Sequence, residues 1–279
     1  MHSKITIVCG PTASGKSARA IDIAKSSDGV IINADAMQVY RELRVITARP
    51  TAEQERVVPH KLYGVVSVRE AFSVSKWLAL VKTAIDETLA AGKKPIITGG
   101  TGLYIKALME GLSPIPDVPE EIRTQATTLW EEQGSEVLKA RDPIMSAQLK
   151  DGDMQRHIRA LEVILATGKS LSYWQEVPRV KLYPDAEFEI EYIDVAREIL
   201  YERCDARFMA MMEMGALEEV KAVHAMKLDS KIPAMRIVGV PELINYLEGA
   251  YSLDEAIIKA QQATRNYAKR QITWFKHQL

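Results

Sequence analysis

Gly10-Pro11-Thr12-Ala13-Ser14-Gly15-Lys16-Ser17 is a complete phosphate-binding loop, preceded by the apolar run Ile5-Thr6-Ile7-Val8-Cys9 and followed by a helix-like segment. Its glycines let successive backbone N–H groups converge on an anion, and the helix N-terminus behind them adds partial positive charge. Lys16 supplies a mobile point charge for terminal phosphates, and Ser17 offers a hydroxyl to a magnesium ion. Two further turns carry reactive groups. Asn33-Ala34-Asp35-Ala36-Met37-Gln38 places a carboxylate at the end of a second apolar run, where it can ligate magnesium or accept a proton from a substrate. Thr98-Gly99-Gly100-Thr101-Gly102 closes a third run with a flexible turn bearing the Thr101 hydroxyl.

A phosphate loop in a nucleoside triphosphatase is normally matched by a strand ending in a magnesium-binding Asp and by a water-positioning residue. Here the third run ends in Thr98 and glycines instead. The chain therefore reads as an enzyme that holds a diphosphate for a purpose other than hydrolysis.

The elements that must position these groups follow from periodicity. Apolar runs at 5–9, 29–33 and 94–98 alternate with helix-like segments, of which Ser75 to Leu89 carries its apolar residues at helical spacing. The pattern predicts an α/β fold, a P-loop NTPase-like parallel sheet flanked by helices, with ligands at the carboxyl ends of the strands. Three prolines within Pro114 to Pro119 break the pattern. Beyond them Glu120 to Glu132, Met145 to Lys150 and Met154 to Thr167 read as amphipathic helices, the last closed by Gly168. Residues 114–181 are thus expected to form a helical insertion domain, and residues 1–113 and 182–279 the core. Phe188 to Val195 alternates as a returning strand, and helices are expected from Arg197 onward.

The 279 residues are 47% hydrophobic, enough for a sizeable core. Cys9 and Cys204 belong to no Cys/His cluster, so the expectation is a reducing cytoplasm and no zinc site. No apolar run reaches the length of a membrane span. The net charge of −1 hides an asymmetry. Lys259, Arg265, Lys269, Arg270 and Lys276 face no acid between 259 and 279, the composition of a tail that docks on phosphates.

GPTASGKS at 10–17, DAMQVYR at 35–41, TARP at 47–50, VPHKL at 58–62, GGTGLYIKAL at 99–108, QRHIRALEV at 155–163 and TRNYAKRQITWF at 264–275 together resemble the tRNA dimethylallyltransferase family of IPP transferases. The resemblance spans almost the whole chain, and GGTGLY and the AKRQ-x-TWF tail are its specific parts. It implies transfer of a dimethylallyl group from dimethylallyl diphosphate to N6 of the adenosine next to the anticodon on its 3′ side, in tRNAs that read codons starting with U. It also implies a magnesium-dependent, cytoplasmic monomer. Asp35 would be the general base, and Gly10, Pro11, Thr12, Ala13, Ser14, Gly15, Lys16 and Ser17 would hold the diphosphate, with Ser17 on magnesium. Thr101 would sit near the target adenosine and Arg49, where the family usually has lysine, near the diphosphate. Asp35, Ala36, Met37, Gln38 and Thr101, then Arg123, Gln155, Arg156, His157, Ile158 and Arg159, and finally Lys269, Arg270 and Gln271, would meet the tRNA anticodon stem-loop. Trp274 and Phe275 read equally as an RNA-facing surface or as core anchors of the last helix.

Departures from the family pattern are Ala36 for serine, Ile46 for glycine, Lys61 for histidine and Val240-Pro241 for a Tyr-basic pair. None removes a catalytic group. Two rivals use the same loop: an adenylate prenyltransferase acting on free AMP or ATP, which typically lacks GGTGLY and the QR-x-x-RALEV helix, and a small-molecule kinase.

Overall fold

A computed structural model of the chain describes residues 4–279. Its described residues divide into two compact units, 4–109 with 182–279 and 110–181.

The larger unit is built on a sheet in which every strand pairing is parallel, in the order β3-β2-β4-β1-β5. β1 (Lys4–Cys9) leads through the phosphate loop into α1 (Lys16–Ser27), and β2 (Gly29–Asn33) follows at once. A long connection, α2 (Ala52–Val57), the two-residue β3 (His60–Lys61) and α3 (Val74–Ala90) separate β2 from β4 (Lys94–Gly99), which turns into α4 (Gly102–Glu110). Ile5, Ile7, Ile32, Ile96 and Ile97 are fully buried. That is why these strands read as unbroken apolar runs: a parallel sheet is covered on both faces. Thr98 lies opposite both Val8 and Asn33, so β1, β4 and β2 end at one level and their three turns meet at one edge.

The helical unit contains α5 (Glu120–Gln133), α6 (Glu136–Arg141), α7 (Pro143–Gln148), α8 (Met154–Thr167) and α9 (Leu171–Glu176). Ala126, Val137, Leu138, Met145, Ala160, Leu161, Val163 and Leu171 form its own core. Asp142 and Asp153 cap α7 and α8 by accepting the Met145 and Arg156 amides, and Gly168 closes α8 in the left-handed conformation.

The chain re-enters the sheet as β5 (Glu187–Tyr192), beside β1. Glu189 and Glu191 pair with Lys4 and Arg19 along this edge, and acids on an edge strand discourage further strand addition. Helices α10 (Arg197–Glu213), α11 (Ala216–His224), α12 (Val240–Leu247) and α13 (Leu253–Gln278) complete the unit. They pack on the long connection after β2: Val39, Tyr40, Leu43 and Ile46 share a core with Phe208, Met211, Val240, Leu243 and Ala260. The 26-residue α13 opens with a capping box in which Ser252 and Glu255 satisfy each other's backbone amides.

The returning strand stops at Tyr192, three residues short of the expected Val195, and α7 begins at Pro143 rather than Met145. β3, α6 and α9 are too short for periodicity to show.

Candidate functional site

Gly15 stands at φ 94°, in the left-handed region that starts α1 with its first amides facing the loop. Lys16 folds back so that Nζ donates to the Pro11 carbonyl at 3.1 Å. Burial of its ammonium pushes Lys16 down to about 8; the Asp35 carboxylate opposes the shift and the Arg207 guanidinium adds to it. The Ser14 hydroxyl is buried without a hydrogen-bond partner, an orphan polar atom inside the phosphate-loop motif.

Asp35 is held at both ends. Its amide donates to Asn33 Oδ1 at 2.9 Å, and Asn33 Nδ2 returns a 3.0 Å bond to the Asp35 carbonyl. Asp35 Oδ1 accepts the Met37 amide at 2.9 Å, which fixes the carboxyl plane. Thr101 joins the two turns: its amide donates to the Ala34 carbonyl, and its Oγ1 accepts the Ala36 amide at 2.9 Å. A Cβ on Gly99 would overlap the Ala34 carbonyl, so only glycine lets the β4 turn approach the β2 turn this closely.

A cavity of about 170 Å³ opens between the β2 turn and helices α10 and α13. Asp35, Thr12, Arg207, Arg236 and Arg270 supply its polar wall, and Met37, Ile46, Phe208, Met211 and Ile237 an apolar one. A cavity of about 150 Å³ accommodates a benzene ring, so the apolar half suits a short hydrocarbon group. Arg207 donates to the Thr12 hydroxyl. Its guanidinium is held below its ordinary value by burial, with Cys204 and Asp35 opposing. Tyr267 stands beside Asp35 and Thr101, and burial, then the Asp35 charge, drives its phenol up. Sequence reasoning assigned no role to Arg207 or Tyr267. Arg207 carried a signal nonetheless, an arginine on the stripe that buries Leu200, Cys204, Phe208 and Met211.

Several expected contacts are placed otherwise. Arg49 is no wall of the cavity: its Nη1 donates to the Tyr40 and Arg41 carbonyls, and its guanidinium lies against Gly64 so closely that a Cβ there would overlap it. Gln38 Nε2 is engaged by the Thr47 and Ala48 carbonyls. Both residues tie down residues 35–49. Gln271 faces inward, 5% exposed, accepting the Thr12 amide and donating to the Gly100 carbonyl. His157 is buried against Trp130 with Nδ1 at the Asp153 carbonyl, and Ile158 packs on the same core. His157 is thus framework of the helical unit, and Ile158 is partly buried against it.

Gln155, Arg156 and Arg123 are exposed on that unit, while Arg159 is half-buried and pairs with Glu162 at 2.8 Å. Lys269 and Arg270 are exposed on α13, and Arg270 lies over the Tyr267 ring. Phe275 is buried beside Tyr192, and Trp274 fills the space that a Cβ on Gly102 would occupy, so both anchor the last helix. Among the described residues no group of three His, Cys, Asp or Glu is arranged to hold a metal, and no helix is long and apolar enough to cross a membrane.

The model of the "IPP transferase" family matches residues 38–278, and that of "Isopentenyl transferase" residues 3–63. The tRNA dimethylallyltransferase of Rhodospirillum centenum is 48% identical, with 99% of this chain and 89% of the relative covered. That of Nitrobacter hamburgensis is 47% identical over 98% and 87%. Among solved structures, the tRNA isopentenylpyrophosphate transferase of Bacillus halodurans aligns with a TM-score of 0.71 at 31% identity, over 98% of this chain and 87% of that one. A eukaryotic dimethylallyltransferase described as acting on tRNA aligns at 0.83 and 27% identity, over 98% and 70%. The chain belongs to the IPP transferase family.

Proposed function

We propose that this protein transfers a dimethylallyl group from dimethylallyl diphosphate to the exocyclic N6 of the adenosine 3′-adjacent to the anticodon, in tRNAs reading codons that begin with U. The observation that carries this reading is Asp35, a carboxylate held at both ends in the wall of a half-apolar cavity, close enough to Lys16 and Arg207 for its charge to act on both.

In the reaction N6 attacks C1 of the allylic group, the C1–O bond breaks, and diphosphate departs with the electron pair. The N6 proton passes to the Asp35 carboxylate. An adenine amine is a weak nucleophile, so a base fixed in place has most effect as the N–C bond forms. Loop amides, the Ser14 hydroxyl, Lys16 and Arg207 stabilise the charge that develops on the departing oxygen. Thr101 and Tyr267 shape the side on which the base enters. The target adenosine must leave its stack to reach Asp35, as for other base-modifying enzymes.

A donor set of one hydroxyl beside a phosphate loop suits magnesium, which keeps several waters and arrives on phosphate oxygens. Ser17 would hold it, and when bound it supplies further neutralisation of the diphosphate. Arg123, Gln155, Arg156, Arg159, Lys269 and Arg270 would meet the tRNA backbone and loop.

The test is to incubate the protein and magnesium with dimethylallyl diphosphate and either unmodified tRNA or AMP, and to read prenylated adenosine by mass spectrometry. An adduct on tRNA alone is expected. An adduct on AMP would move the chain to the free-nucleotide branch, and no adduct on either would remove prenyl transfer.

A further inference from the structure

Asn33 is the last residue of β2, fully buried, and every atom of its carboxamide is used. Oδ1 accepts the Asp35 amide, while Nδ2 donates to the Asp35 carbonyl at 3.0 Å and to the Leu62 carbonyl at 3.1 Å. Its own carbonyl accepts Trp77 Nε1 at 2.8 Å. Trp77 is itself fully buried and stacked on Tyr104 with ring centroids 4.6 Å apart. An Asn side chain commonly accepts the amide two residues on, as an Asx turn; this one also donates to the carbonyl of that same residue and pins it to the loop after β3.

We infer that Asn33 is the positioning residue for the base: its carboxamide grips Asp35 by both backbone groups and so sets where the carboxylate stands in the cavity. The inference rests on the reading of Asp35 as the proton acceptor. Asp35 gains its direction from two sources, the Met37 amide on Oδ1 and the Asn33 bracket on the backbone. The first fixes the plane of the carboxyl and the second fixes its origin. Without the bracket, the Asp35 backbone is held through its neighbours alone, by the Thr98 carbonyl on the Ala34 amide, the Thr101 amide on the Ala34 carbonyl and Thr101 Oγ1 on the Ala36 amide. A shift of about 1 Å at a reacting group costs on the order of 100-fold in rate. Asn33 touches no reacting atom; it lies at the strand end, behind the turn.

Asn33→Leu keeps the branching at Cγ with some added bulk and removes every carboxamide hydrogen bond; Asn33→Asp keeps the acceptor for the Asp35 amide and loses both donors. Each is compared with Asp35→Asn and with the Asn33→Leu/Asp35→Asn double variant, in single-turnover prenyl transfer and in tRNA binding, with thermal melts confirming folding. Expected for Asn33→Leu is a kcat lowered about 30-fold with tRNA Kd and the KM for the diphosphate within about two-fold of wild type. Asn33→Asp should fall between, and it carries the test if the leucine variant does not fold. In the double variant the losses should not multiply, because Asn33 acts only through a carboxylate that is no longer there. A folded Asn33→Leu with wild-type kcat, or losses that multiply with Asp35→Asn, would overturn the assignment. Full turnover by Asp35→Asn would instead remove the base itself and leave the two failures distinct.

Discussion

Gln271, on the last helix, accepts the Thr12 amide of the first loop at 2.7 Å across 259 residues of chain, and its Nε2 donates to the Gly100 carbonyl at 2.8 Å. One carboxamide thereby fixes the distance between the phosphate loop and the turn that carries Thr101. Gln271→Leu should leave a buried carbonyl and a partly buried amide unpaired, at about 1–3 kcal/mol for the first and less for the second. Thermal or urea unfolding should show that loss, and diphosphate binding should weaken with it. A stability unchanged from wild type would mean that water replaces both bonds.

Asp35→Asn keeps the shape of the side chain and removes its capacity to take a proton. Turnover should fall by about 100-fold or more, in the range that a positioned general base contributes. Affinity for tRNA, measured by filter binding, should change little.

Lys16 answers to pH. Its ordinary value is 10.5 and burial lowers it to about 8, so between these limits an unfolded chain holds a proton that the folded protein has released. Stability contributed by this group therefore rises with pH through that window and is lowest below it. A bound diphosphate favours the ammonium, so binding near pH 9 should take up a proton and weaken as pH rises further. Calorimetry with inorganic pyrophosphate in two buffers of different ionisation heat reads the uptake directly. Equal apparent heats in both buffers would show that Lys16 is already charged.

Arg156 and Arg159 test the helical unit. Replacing both by alanine should weaken tRNA binding and flatten the dependence of log Kd on log salt by about 1.5, as two phosphate contacts are lost. An unaltered slope would place both in the unit's own framework, where Arg159 already pairs with Glu162 and Arg156 with Asp153.

Glu219 of α11 holds the other side of the cavity wall. Its carboxylate accepts the amides of Arg44, Val45 and Ile46 at 2.8–3.1 Å, a cluster of backbone donors filled by one charge. Glu219→Gln should destabilise the fold by about 1.5–3 kcal/mol, the worth of charge-assisted bonds. It should also raise the KM of the diphosphate, because Ile46 and Thr47 line the cavity.

Local chemistry makes the three strand-end turns legible in the sequence itself. Each follows an apolar run that must be buried on both faces, and each bears residues with no use in a core. The helices from Glu120 and Met154 were equally plain, since their apolar stripes run for several turns. What periodicity could not show was the direction of individual side chains in the motifs. Arg49 and Gln38 look like ligands by type, yet their donors meet carbonyls of a connection that has no regular structure to satisfy them. Gln271 lies in a basic tail but on its buried face. Arg207 was harder to single out: it lies on the buried stripe of α10, but that helix has no motif, and its packing turns the guanidinium toward Thr12.

At the neck of the helical unit, the Val180 amide donates to the Leu112 carbonyl at 3.2 Å, and a Cβ on Gly111 would collide with the Val180 backbone. The excursion from the sheet thus leaves and returns through one hydrogen-bonded gate. For the strands that must find each other across it, the intervening helices weigh little more than a short turn, because closure entropy grows only with the logarithm of the length enclosed. Such a gate lets the segment between its posts lengthen, shrink or be exchanged over evolutionary time while Thr6 keeps its pairing with Glu189.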